Sequence, residues 1–438
     1  MTRPTAMPKD SKPALTPKLR FPEFRGRDTW ERLTLRQVTT ALLDGDWIES
    51  KDQSDSGYRL IQTGNIGVGE FIAKSGKARY VSEETFARLR CTEIFPGDCL
   101  VSRLPDPAGR SCFIPDIGEK MITAVDCTIV RFDQTKIVPY LFIAHSQTGG
   151  YFREVAALSS GSTRQRISRE NLSGLTLPLP PTLAEQQKIA ECLSTLDELI
   201  GAESQKLDAL KAHKKGLMQQ LFPREGETLP RLRFPEFQNA PEWDVKKLEE
   251  IGRVIRGASP RPKGDPRYYG GPVPRLMVQD VTRDGKWVTP QIDSLTEEGA
   301  KLSRPCPAGT LTIVCSGAVG VVSFLAVDAC IHDGFLALVD IDESLATKDF
   351  LFHRLSTLRE QFERGATHGG VFTNLTTTGV DQLEIACPSP AEQHRIATCL
   401  SSLDDLIAAQ SDRLAALRTH KQGLLQQLFP STADIART

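Results

Sequence analysis

Residues 184–223 read AEQQKIAECLSTLDELIGAESQKLDALKAHKKGLMQQLFP, and residues 391–430 read AEQHRIATCLSSLDDLIAAQSDRLAALRTHKQGLLQQLFP. About 26 of the 40 aligned positions are identical. Shared helical composition does not give that, so the chain carries an internal duplication whose period is too long for a solenoid. In each copy the apolar residues step by three and four: Leu193, Leu196, Ile200, Leu207, Leu210, Leu217 and Leu221, then Leu400, Leu403, Ile407, Leu414, Leu417, Leu424 and Leu428. This spacing predicts a coiled-coil seam on a helix of about 38 residues and about 57 Å. Such a helix needs a surface to cover its seam. That surface is either the neighbouring domain or the other copy, and two nearly identical helices in one chain favour the second.

Polar residues break the seam at Glu203 and Gln410 in one heptad position and at Lys214 and Lys421 in another. An antiparallel pair then predicts one register, with Glu203 facing Lys421, Gln410 facing Lys214, Leu196 facing Leu428, Ile200 facing Leu424 and Leu207 facing Leu417. A parallel pair in register would instead stack Lys214 on Lys421, a costly contact when partly buried.

With 438 residues, 39% of them apolar and 25% charged, the chain has ordinary globular composition and enough length for two or three domains. No run of 18 uncharged apolar residues occurs, and the first 20 residues lack the apolar centre of a signal peptide, so a cytoplasmic protein is expected. The ten cysteines include no C-x-x-C pair, which speaks against a zinc site or a disulfide framework and predicts free, mostly buried thiols. A net charge of −1 provides no global attraction for nucleic acid, so any such binding must rest on local basic patches.

Taken in order, residues 1–18 read as a flexible arm without apolar period. The hexapeptide LRFPEF at 19–24 returns at 232–237, followed in each place by a tryptophan, Trp30 and Trp243. The duplicated unit is thus an opening motif, a domain of about 150 residues and a long helix. The boundaries are a first domain at 19–181, a helix at 182–223, a linker and second domain at 224–390, a second helix at 391–430 and a tail at 431–438. Short apolar runs bounded by glycine and proline predict strands at 58–66, 98–104 and 127–132, with counterparts in PRLMVQDV, GTLTIVCSG and GFLALVDI of the second copy. Helical spacing appears at 138–154, broken by Gly149 and Gly150, and at 348–364. The expected class is α+β, with two mixed domains separated by two long helices that pair as an intramolecular antiparallel coiled coil. Proline runs set the start of each long helix, and Glu185 and Glu392 in the first turns suit the helix dipole. The domains share a plan but little sequence, as expected if each reads a different thing while the helices do one common job.

Enzymatic motifs are missing: no G-x-x-x-x-G-K-[ST], no G-x-G-x-x-G between strand and helix, no G-x-S-x-G, no H-E-x-x-H and no [NDS]-P-P-[YF]. The run at 115–120, PDIGEK, has nuclease-like carboxylates, but one short match in 438 residues is expected by chance and the run reads as a turn. No catalytic or metal-ligating residue is assigned. Binding features are more suggestive. Thr163, Arg164 and Arg166 lie in a Gly/Ser-rich loop suited to phosphate or guanine contacts, or to a solvated turn. In the second domain Arg253, Arg256, Arg261, Lys263 and Arg267 crowd a Gly/Pro-rich segment that ends at Tyr268 and Tyr269, a basic patch beside aromatics that loop exposure explains equally well. Gln62 and Gln279 sit at what the sequence makes corresponding strand ends, where an amide could address adenine or make a structural hydrogen bond.

The helical motif is similar to that of the specificity subunit of type I restriction–modification systems. It rests on Ala184-Glu185-Gln186, Ile189, Leu193, Leu196-Asp197, Ile200 and Gln220-Leu221-Phe222. The second copy has Ala391-Glu392-Gln393, Ile396, Leu400, Leu403-Asp404, Ile407 and Gln427-Leu428-Phe429. The resemblance covers nearly the whole chain. It implies that each domain is a target recognition domain reading one half of a bipartite site in double-stranded DNA. The paired helices would set the spacer and dock two modification subunits, Leu210 among the pairing residues. The cofactors, S-adenosylmethionine, ATP and Mg, would belong to the modification and restriction subunits and not to this chain. Recognition subunits of some type II systems share the pattern, and a standalone DNA-binding protein is the other alternative.

Overall fold

The computed structural model describes residues 15–430 except 75, 77, 162–164, 360, 363–366 and 370–371. The chain forms two compact units, Met1–Ser204 with Asp412–Thr438, and Gln205–Ser411. The long helices run over Leu183–Leu221 and Pro390–Leu428, so each unit holds the first half of one helix and the second half of the other.

In the first unit, strands β2 (Thr39–Asp44), β9 (Cys127–Phe132), β6 (Cys99–Ser102) and β7 (Ser111–Phe113) form one sheet in that order. A second sheet runs β4 (Tyr80–Val81), β3 (Tyr58–Ile61), β8 (Met121–Thr123) and β5 (Glu93–Ile94), and β1 (Glu31–Thr34) pairs with β10 (Thr176–Leu179). The alternation of strand side chains divides the core in two. Leu100 and Ile129 meet Ile61 and Ile94 in one cluster, while Cys99, Val101 and Val130 face the other way. There they meet Leu141 and Phe142 of the helix Tyr140–His145, Ile189 and Leu193 of the first long helix, and Leu425, Leu428 and Phe429 at the end of the second.

The second unit repeats the plan. Its sheets run β15 (Asp293–Leu295), β13 (Tyr269–Leu276), β19 (Ala329–Ile331), β16 (Arg304–Cys306), and β12 (Arg253–Arg256), β20 (Phe335–Val339), β17 (Leu311–Val314), β18 (Val322–Leu325), β14 (Trp287–Val288). Strand β11 (Asp244–Lys247) pairs with β23 (Glu384–Cys387), and β21 (Thr367–Gly369) with β22 (Phe372–Asn374). Leu336 and Leu338 point to one cluster, Phe335 and Ala337 to another. The three runs expected as strands in each copy are β3, β6 and β9, matched by β13, β17 and β20.

The shared motifs are the joints of this frame. Arg20 of the first LRFPEF donates Nε and Nη2 to the two oxygens of Glu185, each at 2.7 Å, and Trp30 Nε1 donates to the same carboxylate at 3.2 Å. Arg233 binds Glu392 in the same bidentate manner. The glutamates therefore do more than suit the helix dipole. Gln186 Oε1 accepts the amide of Val138, and its Nε2 donates to the carbonyls of Lys136 and Pro180; Gln393 does the same for Thr347, Leu345 and Pro388. The backbone of Leu19 donates to Gln427, and that of Leu232 to Gln220. Leu15, in the stretch expected as an arm, is buried and bridges Trp30.

The long helices are antiparallel. Lys421, near the end of the second, pairs with Asp197, near the start of the first, and Lys214 pairs with Asp404. Leu193, Leu207, Leu400 and Leu414 are buried along the seam, with Leu196, Ile200, Leu210, Leu403, Ile407 and Leu417 half-buried. The register differs from the one expected. Glu203 is paired with Arg413 at 2.8 Å, not with Lys421, whose partner lies almost two helical turns nearer the start of the first helix. The lysines reach out of the seam to aspartates beside it, as long cationic side chains do when their stems cover apolar surface.

Candidate nucleic-acid interface

Strands β3 and β13 hold equivalent places, each paired in parallel with one neighbour and antiparallel with the other. Both carry Arg-Leu at the same register: Arg59 opposite Met121, and Arg275 opposite Cys330. A basic cleft opens at each arginine.

In the first unit the Arg59 guanidinium lies 5.3 Å from the Tyr80 ring, donates to its hydroxyl at 3.2 Å, and donates to the Lys74 carbonyl at 2.9 Å. Arg59, Gln62, Thr63 and Lys74 line a cleft of about 270 Å³. Gln62 precedes the short turn Thr63–Asn65, its backbone N–H donates to Asn65 Oδ1 at 3.0 Å, and the residue lines the cleft wall.

In the second unit Arg275 is buried against Asp293 (2.5 Å) and Ser259 Oγ (2.6 Å), with the Tyr269 ring 5.4 Å from its guanidinium. Arg256, Arg261, Lys263, Tyr269, His332 and Asp333 line a cleft of about 420 Å³. The Ser259 hydroxyl holds the Asp333 carboxyl below the usual carboxylate range, with the Arg261 charge adding to the effect. Asp333 therefore stays charged and tethers Arg261 at 3.7 Å. Lys263 has no ion-pair partner among the described residues. Burial, followed by the neighbouring Arg275 charge, pushes His332 below its ordinary value, so its ring is neutral and reads as a hydrogen-bonding group. A guanidinium, an ammonium, a phenol and an imidazole around one opening suit phosphate contacts and base edges.

The structure brings Arg261, Lys263 and Tyr269 together but leaves out Arg267 and Tyr268. Arg267 is held on Asp265 at 2.8 Å and lies 5.2 Å from the Tyr268 ring. Arg166 pairs with Asp126 at 3.0 Å and bridges Ser160 through its backbone, while Thr163 and Arg164 lie outside the described residues. Gln279 is not the counterpart of Gln62. The cap that Asn65 supplies to Gln62 is supplied by Asp280 to Met277, one residue closer to the strand, and Gln279 falls inside the helix Val278–Asp284. The 115–120 run is a turn in which Gly118 donates to Asp116. Arg256, part of the basic patch read from the sequence, also lines the second cleft, whereas Arg59, Lys74, Arg275 and His332 were not singled out by sequence. The repeated Arg-Leu at 59–60 and 275–276 is the signal that marks two of them.

Among the described residues no three His, Cys, Asp or Glu side chains group to hold a metal ion, and no helix is long and apolar enough to cross a membrane.

The family described as type I restriction modification DNA specificity domain matches residues 27–212 and again 241–419. The Methanocaldococcus jannaschii protein named as the MjaX specificity subunit is 26% identical over 412 residues, covering 92% of this chain and 93% of that one. The type I restriction enzyme HindI specificity subunit of Haemophilus influenzae is 21% identical over 357 residues, covering 67% and 77%. The crystal structure of a type I restriction–modification system S subunit from M. genitalium has the same fold, with a TM-score of 0.61 at 17% identity, over 95% of this chain and all of that one. The two family matches fall on the two copies of the duplicated frame, and the chain is a member of the type I restriction–modification DNA specificity family.

Proposed function

We infer that this chain is the DNA sequence-recognition subunit of a type I restriction–modification complex, each domain reading one half of a bipartite site. The observation that carries this is the contrast between frame and cleft. The bidentate arginine–glutamate joints at Glu185 and Glu392 recur in both copies. The equivalent arginines, Arg59 and Arg275, stand in clefts of different composition, with Tyr80 beside one and Asp293 beside the other. A frame kept twice around two different basic openings suits two different half-sites. The paired helices set the distance between half-sites and dock two modification subunits. S-adenosylmethionine serves those subunits, ATP and Mg the restriction subunits, and this chain contributes recognition without catalysis.

The test is to co-express the chain with the products of neighbouring genes and map methylated adenines. Substitution of Lys263 and Arg261 should alter or weaken one half-site and leave the other unchanged. Methylation that needs no added subunit, or tight and specific binding by the chain alone with no co-purifying partner, would contradict this function.

A further inference from the structure

Arg354 is a buried cation without a counter-ion among the described residues. It is 7% exposed, and its Nη1 donates to the carbonyl of Pro223 at 3.1 Å and to Thr357 Oγ1 at 3.4 Å. Its Nε is buried without a partner, and it makes no ion pair among the described residues. Burial lowers the guanidinium to about 10. Burying an unpaired charge is costly, so interiors normally pair such groups.

The frame itself does not ask for this charge. Val138 and Thr347 are equivalent, since their amides bind Gln186 and Gln393. Counting on from them, His145 stands in the first copy where Arg354 stands in the second. Each is a flat group packed on the phenylalanine that ends a long helix: His145 lies 5.4 Å from Phe429, and Arg354 lies 5.8 Å from Phe222. Burial lowers His145 to about 4, so the first copy does this packing with a neutral ring. The positive charge at 354 is thus an addition to the frame.

It lines a cleft of about 820 Å³, with Arg224 and Arg231 exposed in the same lining. Glu225, Glu227 and Glu384 also line it. A run of phosphates would be repelled by these carboxylates, whereas a single carboxylate could reach the guanidinium between them. The volume admits several residues and far exceeds one small ion. We propose that the cleft at Arg354 receives one carboxylate side chain from an otherwise uncharged peptide segment of a partner protein, completing the buried charge on assembly. This rests on the proposed role as one subunit of a larger complex.

The test measures affinity of the full chain for a purified modification subunit and, separately, for duplex DNA. Arg354→His copies the first copy's neutral solution. It should keep the thermal unfolding midpoint but weaken subunit binding by about tenfold or more, as loss of a buried charge pair does, while Arg354→Lys retains most of it. If Arg354→His does not fold, the exposed double variant Arg224→Ser/Arg231→Ser serves, with a smaller weakening expected. Unchanged subunit binding in the folded variant overturns the inference, as does a loss of DNA affinity with subunit binding intact, which would assign the cleft to phosphates. A wild-type chain that binds no modification subunit overturns the proposed function itself, and is told apart by that control.

Discussion

Arg20 and Glu185 stand 165 residues apart in sequence and close on each other through two hydrogen bonds of 2.7 Å, with side-chain exposures of 8% and 1%. This pair ties the opening motif to the first turn of the long helix. Glu185→Gln leaves the Arg20 charge without its counter-ion in a dry site, and should cost about 3–5 kcal/mol of unfolding free energy. Glu392→Gln, at the equivalent joint with Arg233, should cost a similar amount. Urea titration of the two variants checks this. A loss below about 1 kcal/mol at both sites would show that the motif is not a structural joint.

The helix register rests on Lys214 with Asp404 and Lys421 with Asp197, pairs whose side chains are at most 30% exposed. Exchanging the charges as Lys214→Asp/Asp404→Lys should recover part of what each single change loses, a coupling of about 0.5–3 kcal/mol. The pair Glu203→Lys/Lys421→Glu should recover nothing, because those two residues bind other partners. Recovery in the second cycle and none in the first would restore the register expected from the seam alone.

His145 has both ring nitrogens buried without hydrogen-bond partners, between Tyr151 and Phe429. Burial lowers it from 6.5 to about 4, so the unfolded chain takes up a proton there before the folded chain does. Its contribution to stability is therefore fully present above pH 6.5 and is lost as pH falls from 6.5 toward 4, by about 3 kcal/mol in all. His353, lowered to about 3 by burial with Lys214 and Lys286 adding to it, steepens the same slope. His145→Phe should flatten stability against pH in this window, and adding His353→Phe should flatten it further. A slope unchanged in both variants would mean that neither ring is held neutral.

The duplication, the strand runs and the polarity of the helix pair were legible in the sequence because each depends on periodicity. The register was not. A leucine seam accepts several heptad offsets at similar cost, and the choice falls to Asp197 and Asp404, which lie beside the seam and carry no apolar signal. The role of Arg20 was hidden for a related reason: a motif can recur without revealing that its partner lies 165 residues away. The equivalence of Gln62 and Gln279 failed on one residue, since the segment from Arg59 to Asn65 is longer by one than that from Arg275 to Asp280. The clefts needed the fold, because Lys74 and Tyr80 join Arg59 only once β3 and β4 pair.

If the two clefts meet DNA, salt dependence tells their contacts apart. Lys263 has no ion-pair partner among the described residues, whereas Arg275 is committed to Asp293 and Ser259. A lysine without an ion-pair partner among the described residues suits a phosphate, and a phosphate contact contributes equally on every sequence. Lys263→Ala should therefore weaken binding of the assembled complex to specific and nonspecific duplexes alike and reduce the slope of log affinity against log salt by about one. Arg59 is only half-buried and donates to Tyr80 and Lys74 with two of its nitrogens, which orients the guanidinium at the cleft mouth. If it reads a base, Arg59→Ala should relax one position of one half-site by about 1–3 kcal/mol, with little change on nonspecific DNA. Measuring both variants on both duplexes at several salt concentrations separates the roles. Equal losses on both duplexes for Arg59→Ala would make it a phosphate contact, and no change in either variant would remove these clefts from the DNA interface.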